Sequence, residues 1–306
     1  MSWMISRILL AIPSLIGVTF VTFLLLSNVP GDPVYALVGE RADAQLLEAY
    51  REKLGLDQNI ALRYLRYVKM LLQGDLGKSY YTGRAVQEEI SQKMPNTIRL
   101  ACASMLFATV FGLALGMVCA FWVGGWLDRI LWLSSTVLIS LPVFWFGMLN
   151  VFVFAVTLRW FPVGGMDHPL SIVLPAFTLG SRSLAYLTRL TRSCMIEVLQ
   201  SPYILAVRAK GASVRLILLH AFRNAVIPVL TFIGLDFGSY LNGSVLTEMI
   251  FGWDGLGRYA IIGILRRDYP VILGTVLWGA LLFMAVNMTI DFIYYYLNPK
   301  LRKTTL

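Results

Sequence analysis

Few residues in this chain have the types and spacings that chemistry demands. Gly77-Lys78-Ser79 imitates the end of a P-loop, in which glycine amides cradle phosphate. The first glycine of that motif would fall at residue 72, which is Leu72, and no buried strand precedes it. The tripeptide is predicted to be a turn after an amphipathic helix, so any ATP would have to be hydrolysed by another chain. His168 and His220 could in principle hold a metal or activate a nucleophile. The topology derived below sets them on opposite sides of a membrane, where they share neither a metal nor a triad. Asn242-Gly243-Ser244 offers a serine, but no histidine stands in a span to activate it. Cys102, Cys119 and Cys194 lack the paired spacing of a disulfide framework or zinc site and are expected as small residues of apolar runs. Neither an enzyme nor a bound cofactor or metal is expected.

Three charges inside apolar runs carry more information. Arg182 stands about seven residues before a basic segment, about 10 Å inside a span at a rise of about 1.5 Å per residue. An arginine there is costly and marks function by default, although its long stem can also snorkel to the interface. Asp236 and Asp291 lie in later spans and could pair with it or cap neighbouring helices. Arg182 and Asp236 are the candidate pore-lining residues.

The elements that position these residues follow from composition. Of 306 residues, 58% are hydrophobic and 14% charged, with a mean hydropathy of +0.70, against about 45–50% apolar in a soluble domain. The apolar residues come in blocks of about 20, the length that crosses a bilayer core about 30 Å thick as a helix. An all-α, polytopic protein is predicted, with six spans at about residues 8–29, 98–123, 130–158, 172–187, 226–250 and 271–297. The first run is longer than a signal h-region and lacks a cleavage site, so it is expected to be retained. Pro30-Gly31-Asp32-Pro33 ends it. Between residues 31 and 96, Leu46, Leu47, Tyr50 and Leu54 share one helical face ending at Gly55. A second face, from Ile60 to Leu72, ends at Gly74. Gly112-x-x-x-Gly116 allows close helix approach in the second span.

The formal charge of +9 fits cytoplasmic loops beside anionic lipid, and no nucleic-acid partner is expected. With the N-terminus inside, Arg7, Arg129, Arg189, Arg192, Arg208, Lys210, Arg215, Arg223, Lys300, Arg302 and Lys303 are cytoplasmic. Arg159, Arg258, Arg266 and Arg267 are left in short outer loops. That bias puts both termini in the cytoplasm. The chain thus divides into an N-terminus with the first helix (1–30), an extracytoplasmic helical region (31–96), a five-helix core (97–298) with a cytoplasmic loop at 189–224, and a tail (299–306).

That loop is the informative segment. It contains Met195-Ile196-Glu197-Val198-Leu199, then Tyr203, then Val207-Arg208-Ala209-Lys210-Gly211, then His220-Ala221-Phe222-Arg223-Asn224. It resembles the EAA loop of ABC importer permeases, in the form carried by the dipeptide, oligopeptide, glutathione and nickel transporter family. The resemblance covers nearly the whole chain. Pro30-Gly31-Asp32-Pro33, Leu54-Gly55-Leu56-Asp57, Gly74-Asp75-Leu76-Gly77, Gly243-Ser244 with Glu248, Gly255-Leu256-Gly257-Arg258, Arg267-Asp268-Tyr269-Pro270 and Asn298-Pro299-Lys300-Leu301-Arg302 follow the family pattern in order. The sequence departs from it at Leu205-Ala206-Val207, which makes the loop's helix more apolar, and at Asp254, where a proline commonly precedes the glycine.

The resemblance implies a type I permease fold. It implies a second permease, two ATP-binding subunits and an extracytoplasmic binding protein as partners in the bacterial inner membrane. A short helix before Gly211 would dock on the ATPase, so Tyr203, Val207, Arg208, Ala209, Lys210, Gly211, His220, Arg223 and Asn224 become the coupling residues. A docking helix needs contact area and a fixed end, which a Gly-terminated helix with apolar and basic residues supplies; plain positive-inside anchoring is the competing reading. Arg182 as a bidentate donor suits a peptide carboxylate better than bare nickel, so peptide cargo is expected, with nickel or a metal chelate as the alternative. A secondary transporter would carry mid-membrane coupling carboxylates, of which only Asp236 is found, and often inverted repeats, of which there is none; a membrane enzyme would need a convergent polar cluster, and none assembles.

Overall fold

The computed structural model describes residues 2–28, 34–38, 43–55 and 57–297. Pro30-Gly31-Asp32-Pro33, Leu56 and the ending from Asn298 lie outside them, as does the side chain of Asp291. Thirteen α-helices are described: α1 Ser2–Asn28, α2 Val34–Val38, α3 Ala44–Leu54, α4 Ile60–Leu72, α5 Val86–Phe121, α6 Trp126–Ser140, α7 Val143–Asn150, α8 Val173–Leu199, α9 Pro202–Ala209, α10 Val214–Gly243, α11 Val245–Ile250, α12 Leu256–Leu265 and α13 Tyr269–Leu297. A π-helical stretch, Val151–Thr157, extends α7, and a 3-10 turn, Pro169–Ile172, leads into α8. Among the described residues four helices are long and apolar enough to cross a membrane, and the number rises to six if each of two bent pairs counts as one span.

Two spans are broken where the sequence expectation had one helix each, and α5 and α8 run beyond their expected ends, from Val86 and to Leu199. The third is not one helix: α6 and α7 meet at 107°. Pro142 has no N–H to continue the helix and its ring holds Leu141 extended (φ −77°, ψ 134°), so the chain turns there. The fifth begins earlier, at Val214, bends by 47° around Pro228, and stops at Gly243 rather than Ile250. At Ser244 the hydroxyl turns to Glu248 (2.8 Å) and a separate short helix, α11, begins.

The chain forms two compact units. One comprises the chain to Thr97 with Asp254–Ala285. In it α3 and α4 occupy the two stretches whose apolar faces the sequence marks, ending at Gly55 (φ 65°) and before Gly74 (φ 78°). The Gly77-Lys78-Ser79 segment is a tight turn closed by a bridge between Lys78 and Ala85. Asp268 fastens it, accepting from the Ser79 hydroxyl (2.5 Å) and the Tyr80 amide (3.0 Å). Burial, with Asp268 beside it, pushes the Tyr80 phenol up to about 12. Val86, Ile90, Leu256, Tyr259 and Val271 form this unit's core.

The second unit comprises Ile98–Trp253 and the chain from Val286. Its centre is α8, packed against α6, α7 and α10. The crossing of α5 on α8 is built from glycines: Gly112 lies over Leu187, Gly116 over Thr188 and Thr191, and Gly180 over the Ser104 carbonyl. Such closeness lets two apolar helices gain dispersion contacts where lipid offers no hydrophobic driving force.

Candidate functional site

The segment from 189 to 224 is helical for most of its length. α8 runs unbroken to Leu199, α9 follows after two residues, and α10 starts at Val214. Arg189 and Arg192, expected in a loop, are therefore on α8. Arg182 stands 17 residues before the helix end, about 25 Å along the axis.

An eight-residue helix is marginal on its own, so α9 owes its order to its ends and to packing. Ser201 takes the N-cap position and Pro202, with its preset φ, the first turn. At the other end the Gly211 amide donates to the Arg208 carbonyl (2.9 Å) and the Ala212 amide to the Val207 carbonyl (3.4 Å). This is a Schellman end, and Gly211 occupies its left-handed position at φ 76°. Ile204 is fully buried among Met195, Ile217 and Ala221, with Val207 beside it. Burial of one such side chain is worth about 1.5–3 kcal/mol, enough to seat the helix in a fixed place.

What α9 leaves outward is partly apolar and partly basic. Tyr203 (48% exposed) and Leu205 (56%) stand out, with Ala206, Arg208, Ala209, Lys210 and Gly211 also exposed. Leu216 and Leu219 of α10 are exposed nearby in sequence, as are Arg215, Arg223 and Asn224. The Tyr203 hydroxyl and His220 Nδ1 are hydrogen-bonded at 2.9 Å, with the rings edge to face. That bond ties α9 to α10. Asn224 turns back to the His220 carbonyl (3.2 Å) on its own helix. Of the coupling residues inferred from sequence, Val207 and His220 hold α9 in place, Tyr203 both bonds His220 and stands exposed, and the others face outward.

Sequence reasoning missed Ile204 as the seat of the helix, because its neighbours Tyr203, Leu205 and Ala206 are apolar too and only burial sets it apart. It also missed a clamp at the same end of α8. Arg192 grips Asp128 of α6 with Nε (2.6 Å) and Nη2 (2.8 Å), and the Gly124 amide donates to Asp128 as well (2.9 Å). A bidentate guanidinium–carboxylate pair fixes orientation as well as distance.

Toward the middle of α8, Arg182 and Asp236 stand on the wall of one cavity of about 350 Å³, with Ser183, Tyr186, Ser239 and Tyr240. The Ser183 hydroxyl donates to Asp236, and the Tyr240 hydroxyl donates to Ser183. Arg182 lies over the Tyr186 ring, 5.8 Å from its centroid.

An all-α, multi-pass chain with broken spans and a seated, glycine-terminated helix between two long ones has the architecture of an ABC importer permease of type I. Residues 112–303 match the family described as binding-protein-dependent transport system inner membrane component, and residues 1–101 match the N-terminal region of such membrane components. The chain belongs to this family: it is an importer permease, a transport subunit of the inner membrane. It is 40% identical over 303 residues to the glutathione transport system permease protein GsiC of Salmonella paratyphi A, covering 99% of each chain. The protein of that name from Escherichia coli K12 is 39% identical over the same length. Among solved structures, the inward-facing MetNI methionine ABC transporter has the same fold, at a TM-score of 0.59 and 17% identity over 69% of this chain and 97% of that one.

Proposed function

We propose that this chain forms half of a translocation pathway for small peptides, glutathione-like tripeptides included, beside a second permease. Two separate ATP-binding subunits drive it and an extracytoplasmic binding protein delivers the cargo; the chain itself binds no cofactor. Both termini face the cytoplasm, and α9 rests against an ATPase subunit. ATP closes the ATPase pair, α9 moves as a rigid piece because Ile204 and the Tyr203–His220 bond tie it to α10, and the pathway changes the side to which it opens. The shift requires only that ATP bind the two states with unequal affinity. The full-length relatives named for glutathione transport support the cargo class.

The observation that carries the coupling role is the outward face of α9, where Tyr203 and Leu205 supply contact area and Arg208 and Lys210 supply charge. A lipid anchor would use the same residues with no need for a fixed glycine end. Arg208→Glu should lower recovery of the ATPase with the purified permease, and Gly211→Leu should abolish uptake while membrane abundance stays normal. A non-glycine residue held at this φ costs about 1–2 kcal/mol, and no atom lies within 4 Å of an added Cβ, so the defect falls on the shape of α9. Full ATPase recovery and full uptake in both variants would falsify the coupling role.

A further inference from the structure

We infer that the cavity between α8 and α10 is a subsite for both ends of a zwitterionic peptide, with Arg182 taking the carboxylate and Asp236 the ammonium; this rests on the peptide reading above. The two charges share one wall but make no ion pair with each other or with any other described residue. Arg182 is exposed and lies over the face of Tyr186, and among the described residues none of its five donors makes a hydrogen bond. Asp236 is half-buried; its hydrogen bonds come from hydroxyls, and Arg182 attracts it without pairing with it. Ser183 donates to Oδ2 and Ser239 reaches Oδ1 at 3.4 Å while bonding more closely to the Asp236 carbonyl (2.7 Å). Because Tyr240 donates to the Ser183 oxygen, the Ser183 proton is committed to the carboxylate. A carboxylate accepts at about four positions, so acceptor capacity is left toward the cavity.

Charge decides the ligand class. A bare divalent cation would gain Asp236 and be repelled by Arg182, and a simple anion would meet the reverse. A molecule carrying both signs a few bonds apart satisfies each wall group, and in a low-dielectric setting each contact counts for more than in water. Val143, Leu179 and Phe232 complete the lining with apolar surface for side chains. The volume of about 350 Å³ falls in the range of small-molecule sites, about 300–1,000 Å³.

The test is direct binding to the detergent-purified complex of this permease with its partner subunits, without ATP and without the binding protein. Dialanine, N-acetyl-dialanine and dialanine amide are titrated in turn. Wild type is expected to bind dialanine about tenfold or more tightly than either capped form, the effect of one lost charge-assisted contact. Asp236→Asn should erase the preference over the acetylated peptide and keep that over the amide, and Arg182→Gln should do the opposite. Equal binding of all three by wild type overturns the proposal and needs no variant to fold. So does a uniform loss for all three in both variants, which is what a packing role produces. If cells carrying the whole importer accumulate dialanine while the purified complex ignores its ends, the subsite falls and the peptide reading stands. If they accumulate no peptide, both fall.

Discussion

At Gly116 a Cβ would sit 2.6 Å from the Thr191 Cβ and 2.7 Å from the Thr188 carbonyl oxygen, closer than real side chains come. Backbone cannot yield as a flexible side-chain tip can, so Gly116→Leu must push α5 off α8 or distort both. Overpacking of this kind costs about 1–3 kcal/mol. Gly17→Ala is the matching control, since nothing lies within 4 Å of its added Cβ. The expected outcome is a lower melting temperature and lower membrane abundance for Gly116→Leu alone; equal values for the two variants would contradict the close crossing. The Gly112 and Gly116 spacing was legible in the sequence because it repeats along one helix. Gly180, which completes the crossing from the other helix, was not, nor was Asp128 with Arg192, separated by 64 positions. Partners that only folding brings together leave no spacing to read.

Elements were legible where one apolar block makes one helix, as for α1, α5 and α13, and where a glycine ends an amphipathic face, as for α3 and α4. They were misjudged where polarity and helicity part company. α8 continues through Arg189 and Arg192 because nothing in that stretch breaks a helix, though hydropathy drops there. Pro142 lay in view, but a block of unbroken hydropathy hid the 107° turn it causes. Orientation depends on which helix ends share a side, and it can be read by labelling. Ser79, buried and donating to Asp268, is a poor reporter of the segment before α5, whereas Gln87 on α5 is exposed. Ser213, exposed ahead of α10, reports the other side. In a background without Cys102, Cys119 and Cys194, an impermeant thiol reagent added to intact spheroplasts should label Gln87→Cys and spare Ser213→Cys. The reverse pattern would invert the topology.

For the molecule as a whole, family membership rests on matches over residues 1–101 and 112–303, and it agrees with what the EAA-like segment implied. The shared cavity wall of Arg182 and Asp236 was less legible, because it appears only in three dimensions. As proposed, this permease with its partners uses ATP to bring small peptides inward. The measurement that tests it most directly is accumulation of labelled glutathione, labelled dialanine and free nickel ions by proteoliposomes holding the complete importer. Substrate and the binding protein are supplied on the side where the binding protein docks, and ATP on the opposite side. The account predicts accumulation of at least one of the two peptides that requires ATP and ignores collapse of ion gradients, with no accumulation of free nickel. Peptide uptake that follows an ion gradient without ATP, or accumulation of uncomplexed nickel alone, would contradict it.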